Sequence, residues 1–321
     1  MPNATISKRL VRMFATLIAV SVLAFLLTSL LPGDPAYTIL GADNISQEAI
    51  DRIHRDLRLD DPMPVRYVRW LGDALTGDLG QSYTLSRDVS GLIASRLPVT
   101  LELVVLSLGM ALAVSVPLGI YTAHRPKALF SRVSSLTTYA ILSVPSFVIG
   151  IVLILVVSIN WNRLPASGWV PLSESITQNL RRVILPAVTL AMPQIAVLSR
   201  LLRGDMMVTL DQDFVSFADS KGLSTRRILF GHAFRPSSFS LLTLAGTSVG
   251  YLMGGTLIVE SLFNLPGMGS LALASINSRD LVTVQGVTLF VACSFVIINF
   301  LVDLLYAVVD PRIRRNHSVA G

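Results

Sequence analysis

The chain has 321 residues, of which 52% are hydrophobic and only 14% charged, with a formal net charge of +6. That balance is foreign to a soluble two-domain protein and belongs to a membrane protein. The single cysteine, Cys293, excludes an intrachain disulfide and a thiolate zinc site, and the four histidines (His54, His124, His232, His317) lack ligand spacing. The positive residues flank apolar runs and form no aromatic-interleaved basic patch, so the charge reads as membrane topology and not as a nucleic-acid surface.

A helix needs about 20 apolar residues to cross the hydrocarbon layer, and a charge at its centre costs about 2.5–3.5 kcal/mol on insertion scales. Six runs meet this criterion: Met13–Leu31, Pro98–Ala123 with Glu102 near one end, Val133–Asn160, Val183–Ser199, Pro236–Val259 and Leu281–Val302. The fourth is the shortest and carries Pro186 and Pro193, which remove backbone donors and kink helices. The fold expected is an all-α integral membrane protein with six transmembrane helices.

Orientation follows the positive-inside rule. With the N-terminus cytoplasmic, the inner segments hold Lys8, Arg9 and Arg12, then Arg125, Lys127 and Arg132, then Arg200, Arg203 and the basic loop beyond them, and finally Arg312, Arg314 and Arg315. The outer short loops hold Arg163, Arg181 and Arg182, and Arg279. Both termini are therefore expected in the cytoplasm. The first run is expected to be a retained anchor and not a cleavable leader, because its core exceeds the usual roughly 7–15 residues and "LPGDPA" after it lacks a small-x-small cleavage pattern.

Residues 32–97 form the long external segment. In "ISQEAIDRIHRDLRLD" the one-turn spacing of Ile45, Ala49, Ile53 and Leu57 predicts an amphipathic helix, and "DDPMPVRYVRWLGDAL" follows with Val65, Val68, Trp70 and Leu71 after a proline break. A small folded extracytoplasmic cap is expected here.

The loop before the fifth run, "DFVSFADSKGLSTRRILFGHAFRP", lies within residues 204–235 and the start of that run. Asp213 is placed to cap a helix that carries Phe214, Phe217, Ala218 and Lys221 on one face. Gly222 suits the left-handed residue that ends it, with Leu223 packing back. Ser224 is placed to cap a second short helix with Ile228, Leu229, His232 and Ala233 on one side, and Pro236 opens the next run. Helices of about ten residues are marginal alone, so the pair is held either by the protein's own helix ends or by a separate partner. The apolar face rimmed by Lys221, Arg226 and Arg227 fits a docking element.

The helix–Gly–helix loop, with Ala218 four residues ahead of Gly222 in "KGLS", resembles the coupling loop of ABC-importer permeases of the dipeptide, oligopeptide and nickel permease family. The resemblance runs along nearly the whole chain through "LPGDPA", "LRLDDPMPVRYVRWL", "GDLGQS", "RLPVTLEL", "VPLGI", "SVPSFVIG", "ILPAVTL", "GGTLIVESLFNLPGMG", the Arg279–Asp280 pair and "DLLYAVVDPR". Two departures stand out: Ser216, Phe217 and Ala218 replace the wider Glu-Ala-Ala, and Arg235, Pro236 and Ser237 replace the usual Arg-Asn-Ala.

The resemblance implies a single permease domain over 1–321, with a cap at 32–97, a five-helix core at 98–310 and a cytoplasmic coupling loop at 204–235. It also implies a second homologous permease subunit, two ABC ATPase subunits that bind ATP and Mg, an extracytoplasmic solute-binding protein, and a place in the bacterial cytoplasmic membrane. The ATPase-docking residues it implies are Asp213, Phe214, Phe217, Ala218, Lys221, Gly222, Arg226 and Arg227. The chain has no G-x-x-x-x-G-K-[ST] phosphate loop, so energy comes from elsewhere. Peptides are the expected cargo, with nickel chelates or glutathione as family alternatives. Polar residues inside apolar runs, Ser143 and Ser146 beside Pro145, Gln194 beside Pro193, and Asn299, are candidates for the translocation path or for interhelical bonds. Glu102, Glu260 and Asp303 lie near run ends, and the glycine-rich Gly246–Gly255 fits close helix packing. A stand-alone secondary transporter predicts an internal repeat or a mid-membrane charged pair, and neither occurs in the sequence.

Overall fold

The computed structural model describes residues 3–29, 36–37, 46–56 and 58–309. Most of "LPGDPA", Ile45, Leu57, Arg312, Arg314 and Arg315 lie outside these residues, as do the side chains of Lys8, Ala49 and Asp303. The chain runs α1 (Asn3–Ser29), α2 (Gln47–Asp56), α3 (Met63–Leu75), β1 (Gln81–Ser82), β2 (Arg87–Asp88), α4 (Val89–His124), α5 (Leu129–Ser143), α6 (Ser146–Leu153), α7 (Ile176–Leu210), α8 (Asp213–Ser220), α9 (Thr225–Arg227), α10 (Phe234–Leu262), α11 (Met268–Asn277) and α12 (Leu281–Val309). Wide π-helical turns extend α6 over Ile154–Asn160 and join α9 to α10 over Ile228–Ala233. The fold is an all-α multi-span membrane architecture with, among the described residues, one two-residue antiparallel ladder, Gln81 opposite Asp88 and Ser82 opposite Arg87.

Among the described residues, five helical segments are long and apolar enough to cross a membrane: Arg9–Leu26, Val89–His124, Ile176–Leu210, Thr225–Leu262 and Leu281–Val302. The sixth expected run is not one straight helix. Between α5 and α6 the chain bends by 105°. The cause is local: a proline disfavours helical backbone in the residue before it, and Val144 is extended at φ −108°, ψ 130° while Pro145 holds the N-cap position of the next helix. Pro186 and Pro193 act differently, because α7 continues through both for 35 residues. The run expected to be shortest is therefore part of one of the longest helices, and its window is the most buried of the five. Neighbouring helices compensate for proline in membrane spans, and α7 packs against α5, α6 and α10.

Contacts divide the chain into two units, residues 1–100 with 266–297, and residues 101–265 with 298–321. In the second, Leu198, Leu202, Met206 and Ala191 of α7 form a core with Ala111, Ile120 and Ala123 of α4 and Leu241 and Ala245 of α10. Glycines permit the closest approaches: a Cβ at Gly119 would meet Leu202 at 2.9 Å, and one at Gly150 would meet Leu262 at 2.8 Å and Thr189 at 3.1 Å. In the glycine-rich stretch of α10 the close-packing expectation holds at Gly246, whose Cβ would meet Val302 at 2.6 Å, whereas Gly254 faces open space. Glu102 accepts a hydrogen bond from the Trp169 indole at 3.2 Å, and Glu260 is fully buried.

The first unit holds α1 to β2 together with α11. In α2 the buried residues are Ile50 and Ile53, which pack with Ala36 and Tyr83. Ile53 was expected on that face and Ile50 was not. A second core joins Val89, Leu92 and Ile93 to Met268, Leu271 and Val287. The buried Asp280 ties the β1–β2 ladder to the start of α12, since its carboxylate accepts from the Ser82 and Thr283 hydroxyls and from the Thr283 backbone N–H.

Burial, reinforced by the Asp56 carboxylate that accepts its hydroxyl, pushes the Tyr83 phenol up to about 12. Because this lies above the unfolded value of about 10, the stability contributed by neutral Tyr83 is intact below that value and is lost as pH rises through about 12. The tyrosinate difference absorbance between the wild type and Tyr83→Phe is expected only at the top of that window. Ionisation of this phenol at the ordinary tyrosine value would contradict the burial argument.

Candidate functional site

The helix–Gly–helix hairpin between α7 and α10 is built by a chain of local preferences. Gln212, not Asp213, holds the N-cap position of α8, and no side chain caps this end. Asp213 is the first helical residue, where its charge still faces the positive end of the helix. At the other end Gly222 has φ +77°. The N–H of Leu223 reaches the Ala218 carbonyl at 3.4 Å, and that of Gly222 reaches the Asp219 carbonyl at 2.8 Å. These two bonds, 6→1 and 5→2, are the Schellman closure, which selects glycine at the left-handed position.

The hairpin has its own small core. Val215, Ala218 and Ile228 are buried, with Leu210 and Leu223 packed on them. Ala218 therefore does not share a face with the two phenylalanines as the stripe reading had it. It points inward with Val215 against Ile228, and the large aromatics are turned out. Phe214 is 47% exposed, Phe217 62% and Phe230 54%. The Lys221 ammonium lies 4.4 Å from the Phe217 ring centroid, a cation–π contact. Asp213, Arg226 and Arg227 are exposed around the same aromatics in sequence.

The exit from the hairpin also differs from the sequence reading. Ser224 occupies the N-cap position of α9 but its side chain makes no capping bond. Pro236 does not open a new helix, because Thr225–Leu262 is one continuous helical segment of 38 residues. The π turn at Ile228–Ala233 lies just before the proline, where a wider turn accommodates a residue that lacks its N–H. The Thr209 and Ser237 hydroxyls, 2.9 Å apart, join the end of α7 to the start of α10. Val215 and Phe230 are the residues sequence reasoning missed. The i, i+3 spacing of Val215 and Ala218, both small, was the available signal for the first.

The four polar path candidates are spread over separate helices. Ser143 ends α5, is exposed, and donates its hydroxyl to the Tyr139 carbonyl at 2.9 Å. Ser146 begins α6 and is half-buried, as is Asn299 in α12, whereas Gln194 in α7 is buried. No group of His, Cys, Asp or Glu with metal-binding geometry occurs among the described residues.

Two family models match the chain. Residues 115–315 match the family described as "Binding-protein-dependent transport system inner membrane component", and residues 4–104 match its N-terminal counterpart. A protein named as a peptide transport system permease in Brucella melitensis biotype 1 is 41% identical over 315 residues, covering 98% of this chain and 99% of the relative. A peptide ABC transporter permease protein of Sinorhizobium fredii is 37% identical over 311 residues, covering 96% and 98%. The oligopeptide transport system permease protein AppB of Bacillus subtilis is 34% identical over 313 residues, covering 97% and 99%.

Filling the tight side of the hairpin tests its architecture. Ala218→Leu is expected to force α8 off the Ile228 turn at a cost of about 1–3 kcal/mol, read as faster protease cleavage between residues 213 and 228. Unchanged cleavage would show that Ala218 is not a packing residue.

Proposed function

The chain belongs to the family of binding-protein-dependent transport system inner membrane components, and from that premise we propose that it is the permease subunit of an ATP-driven peptide importer whose hairpin docks on the ATPase. Permeases of this family are not themselves catalytic, and ATP is hydrolysed in partner ATPase subunits. The proposal extends to the full assembly: a second homologous permease, two ATPases, and an extracytoplasmic solute-binding protein in a bacterial cytoplasmic membrane. Peptide cargo is inferred from the permeases named for peptides and oligopeptides that align over nearly the whole chain. The distribution of lysine and arginine supports six spans, the bent α5–α6 pair counted as one, with both termini and the hairpin in the cytoplasm and residues 32–97 outside.

One observation carries the docking reading. The hairpin satisfies its own core with Val215, Ala218 and Ile228, yet leaves Phe214, Phe217 and Phe230 in the open beside Lys221, Arg226 and Arg227. Aromatic and arginine anchors on a pre-formed element are what protein interfaces concentrate their binding energy on. Phe214, Phe217 and Phe230 supply the insertion, Lys221, Arg226 and Arg227 the rim, and Gly222 and Ala218 the shape. Binding and release of ATP would then move the docked hairpin as a rigid body, and the attached spans would switch between outward and inward openings. Ser143, Ser146, Gln194 and Asn299 are proposed to line the path between them.

Phe217→Glu is expected to leave the subunit membrane-inserted while weakening co-purification of the ATPase and lowering ATP-dependent peptide uptake. Truncating an interface anchor of this kind costs about 2 kcal/mol or more. Gly222→Pro, which breaks the turn and not the contact, is expected to act in the same direction. Full uptake in both variants would remove the docking assignment.

A further inference from the structure

We propose that the first unit carries a binding site for a small zwitterion with an apolar side chain, the chemistry of a free α-amino acid, in a cavity between α1, α3 and the start of α12. The cavity has a volume of about 250 Å³, and among the described residues its apolar lining comes from Phe25, Leu59, Trp70, Leu79, Leu281 and Val282. All of these belong to the first unit. Pockets for drug-sized ligands run to roughly 300–1,000 Å³, so this one suits a ligand of fewer atoms.

The spacing of α3 supplies one wall. Arg66, Trp70 and Asp73 stand at i, i+4 and i+7, on one face of the helix, and all three line the cavity. The helix is held on α1 by the Ser21 and Tyr67 hydroxyls, 2.7 Å apart, and by Phe25, whose ring centroid lies 5.5 Å from that of Tyr67 and 5.7 Å from that of Trp70. At the start of α12, Val282 packs so closely on Gly80 that a Cβ there would meet its Cγ1 at 2.8 Å. Packing therefore fixes the walls on both sides.

The charges in the lining are unevenly satisfied. Arg58 and Asp73 pair at 3.2 Å. Arg66 has no such partner among the described residues: its guanidinium lies 5.8 Å from the Phe25 ring centroid, its Nε is buried without a hydrogen bond, and the neighbouring Asp61 is taken by Arg69 at 2.8 Å. Burial pulls the Arg66 guanidinium below its ordinary value, with Asp61 opposing, and a bound carboxylate would supply the missing counter-charge. Asp56 and Asp78 also line the cavity and have only neutral donors, the Tyr83 hydroxyl on the first and the Gly80 N–H at 2.9 Å on the second. Asp56 is moreover the last residue of α2, at the negative end of the helix dipole, where a cation is favoured. A lone anion on Arg66 would face those two acids, and a lone cation on the acids would face Arg66. A ligand that carries both charges on one hydrocarbon body satisfies all three groups and the apolar walls.

The test uses the full chain in phosphatidylcholine nanodiscs and reads saturation-transfer NMR of leucine against two half-charged analogues: N-acetyl-leucine, which lacks the ammonium, and leucinamide, which lacks the carboxylate. Leucine is expected to bind saturably and each analogue about tenfold or more weakly, because each leaves a charged group of the site without its partner. Arg66→Gln is expected to weaken leucine by a similar factor and to leave leucinamide unchanged, which identifies the end of the ligand that Arg66 holds. Either analogue binding as tightly as leucine would overturn the proposal, and so would full leucine binding by Arg66→Gln. Loss of leucine binding on adding phosphatidylglycerol to the disc would also overturn it, since Arg66 would then belong to a lipid phosphate. The raised Tyr83 ionisation reports whether the first unit of the variant is folded, and the three-ligand comparison on the wild type decides the matter if it is not. No ATPase is present, so the outcome is separate from that of the hairpin docking.

Discussion

In the hydrocarbon layer every backbone N–H and C=O must find its partner within the protein, and α7 is where that constraint presses hardest. Pro186 and Pro193 leave the carbonyls of Arg182 and Thr189 without their usual helical donors, yet the helix runs unbroken from Ile176 to Leu210. It does so because it is enclosed. Leu198, Leu202 and Met206 are fully buried, and Gly119 and Gly150 bring α4 and α6 to van der Waals limits against Leu202 and Thr189. The same residue type breaks the chain at Pro145, where Phe147, Ile151 and Val152 are exposed and packing does not hold the helix straight. Proline decides the local preference and packing decides whether it is obeyed.

On the docking proposal, that enclosure gives the hairpin its mechanical meaning. Only Asp211 and Gln212 separate α7 from α8, and the helix that starts at Thr225 enters the apolar span without a loop. The Thr209–Ser237 contact closes the base of the hairpin. A push on Phe217 therefore has little slack to dissipate in: it passes through the Val215, Ala218 and Ile228 core into two long helices. The π turn at Ile228–Ala233 departs from the tight i→i−4 ladder on the way into that span. It lies beside Pro236, the departure from the family's usual exit sequence.

Much of this was legible in the sequence, and the failures have identifiable causes. Apolar runs located the spans because burial in lipid needs only length and lack of charge. Gly222 announced its left-handed turn because few other residues tolerate φ +77°. The extent of α7 was not legible, since Arg181, Arg182, Arg200 and Arg203 lie outside the apolar stretch and hydropathy cannot see a helix that continues into water. The faces of α2 and α8 were each read in part: the stripe through Ala49 and Ile53 left out the buried Ile50, and the docking face drawn through Phe214, Phe217 and Ala218 has its two phenylalanines exposed but grouped with them the buried Ala218 and left out Val215. The path candidates were chosen by polarity alone, and polarity does not distinguish a pore from a helix that bonds its own backbone, as Ser143 does.

The hairpin and α1 expose chemically unlike apolar surfaces, and the difference bears on what each meets. The hairpin exposes aromatics on a tight turn, with Lys221 already engaged over Phe217 and two arginines beside it. Such a surface gains from a partner with pockets and complementary charge, and gains little from a fluid of acyl chains. The exposed large side chains of α1 are mostly aliphatic, Val11, Ile18 and Leu23 with Phe14. Such a surface gains from lipid without needing shape complementarity, because lipid supplies none. On the docking proposal the hairpin has to be released in every cycle, whereas a surface covered by lipid has no such cycle.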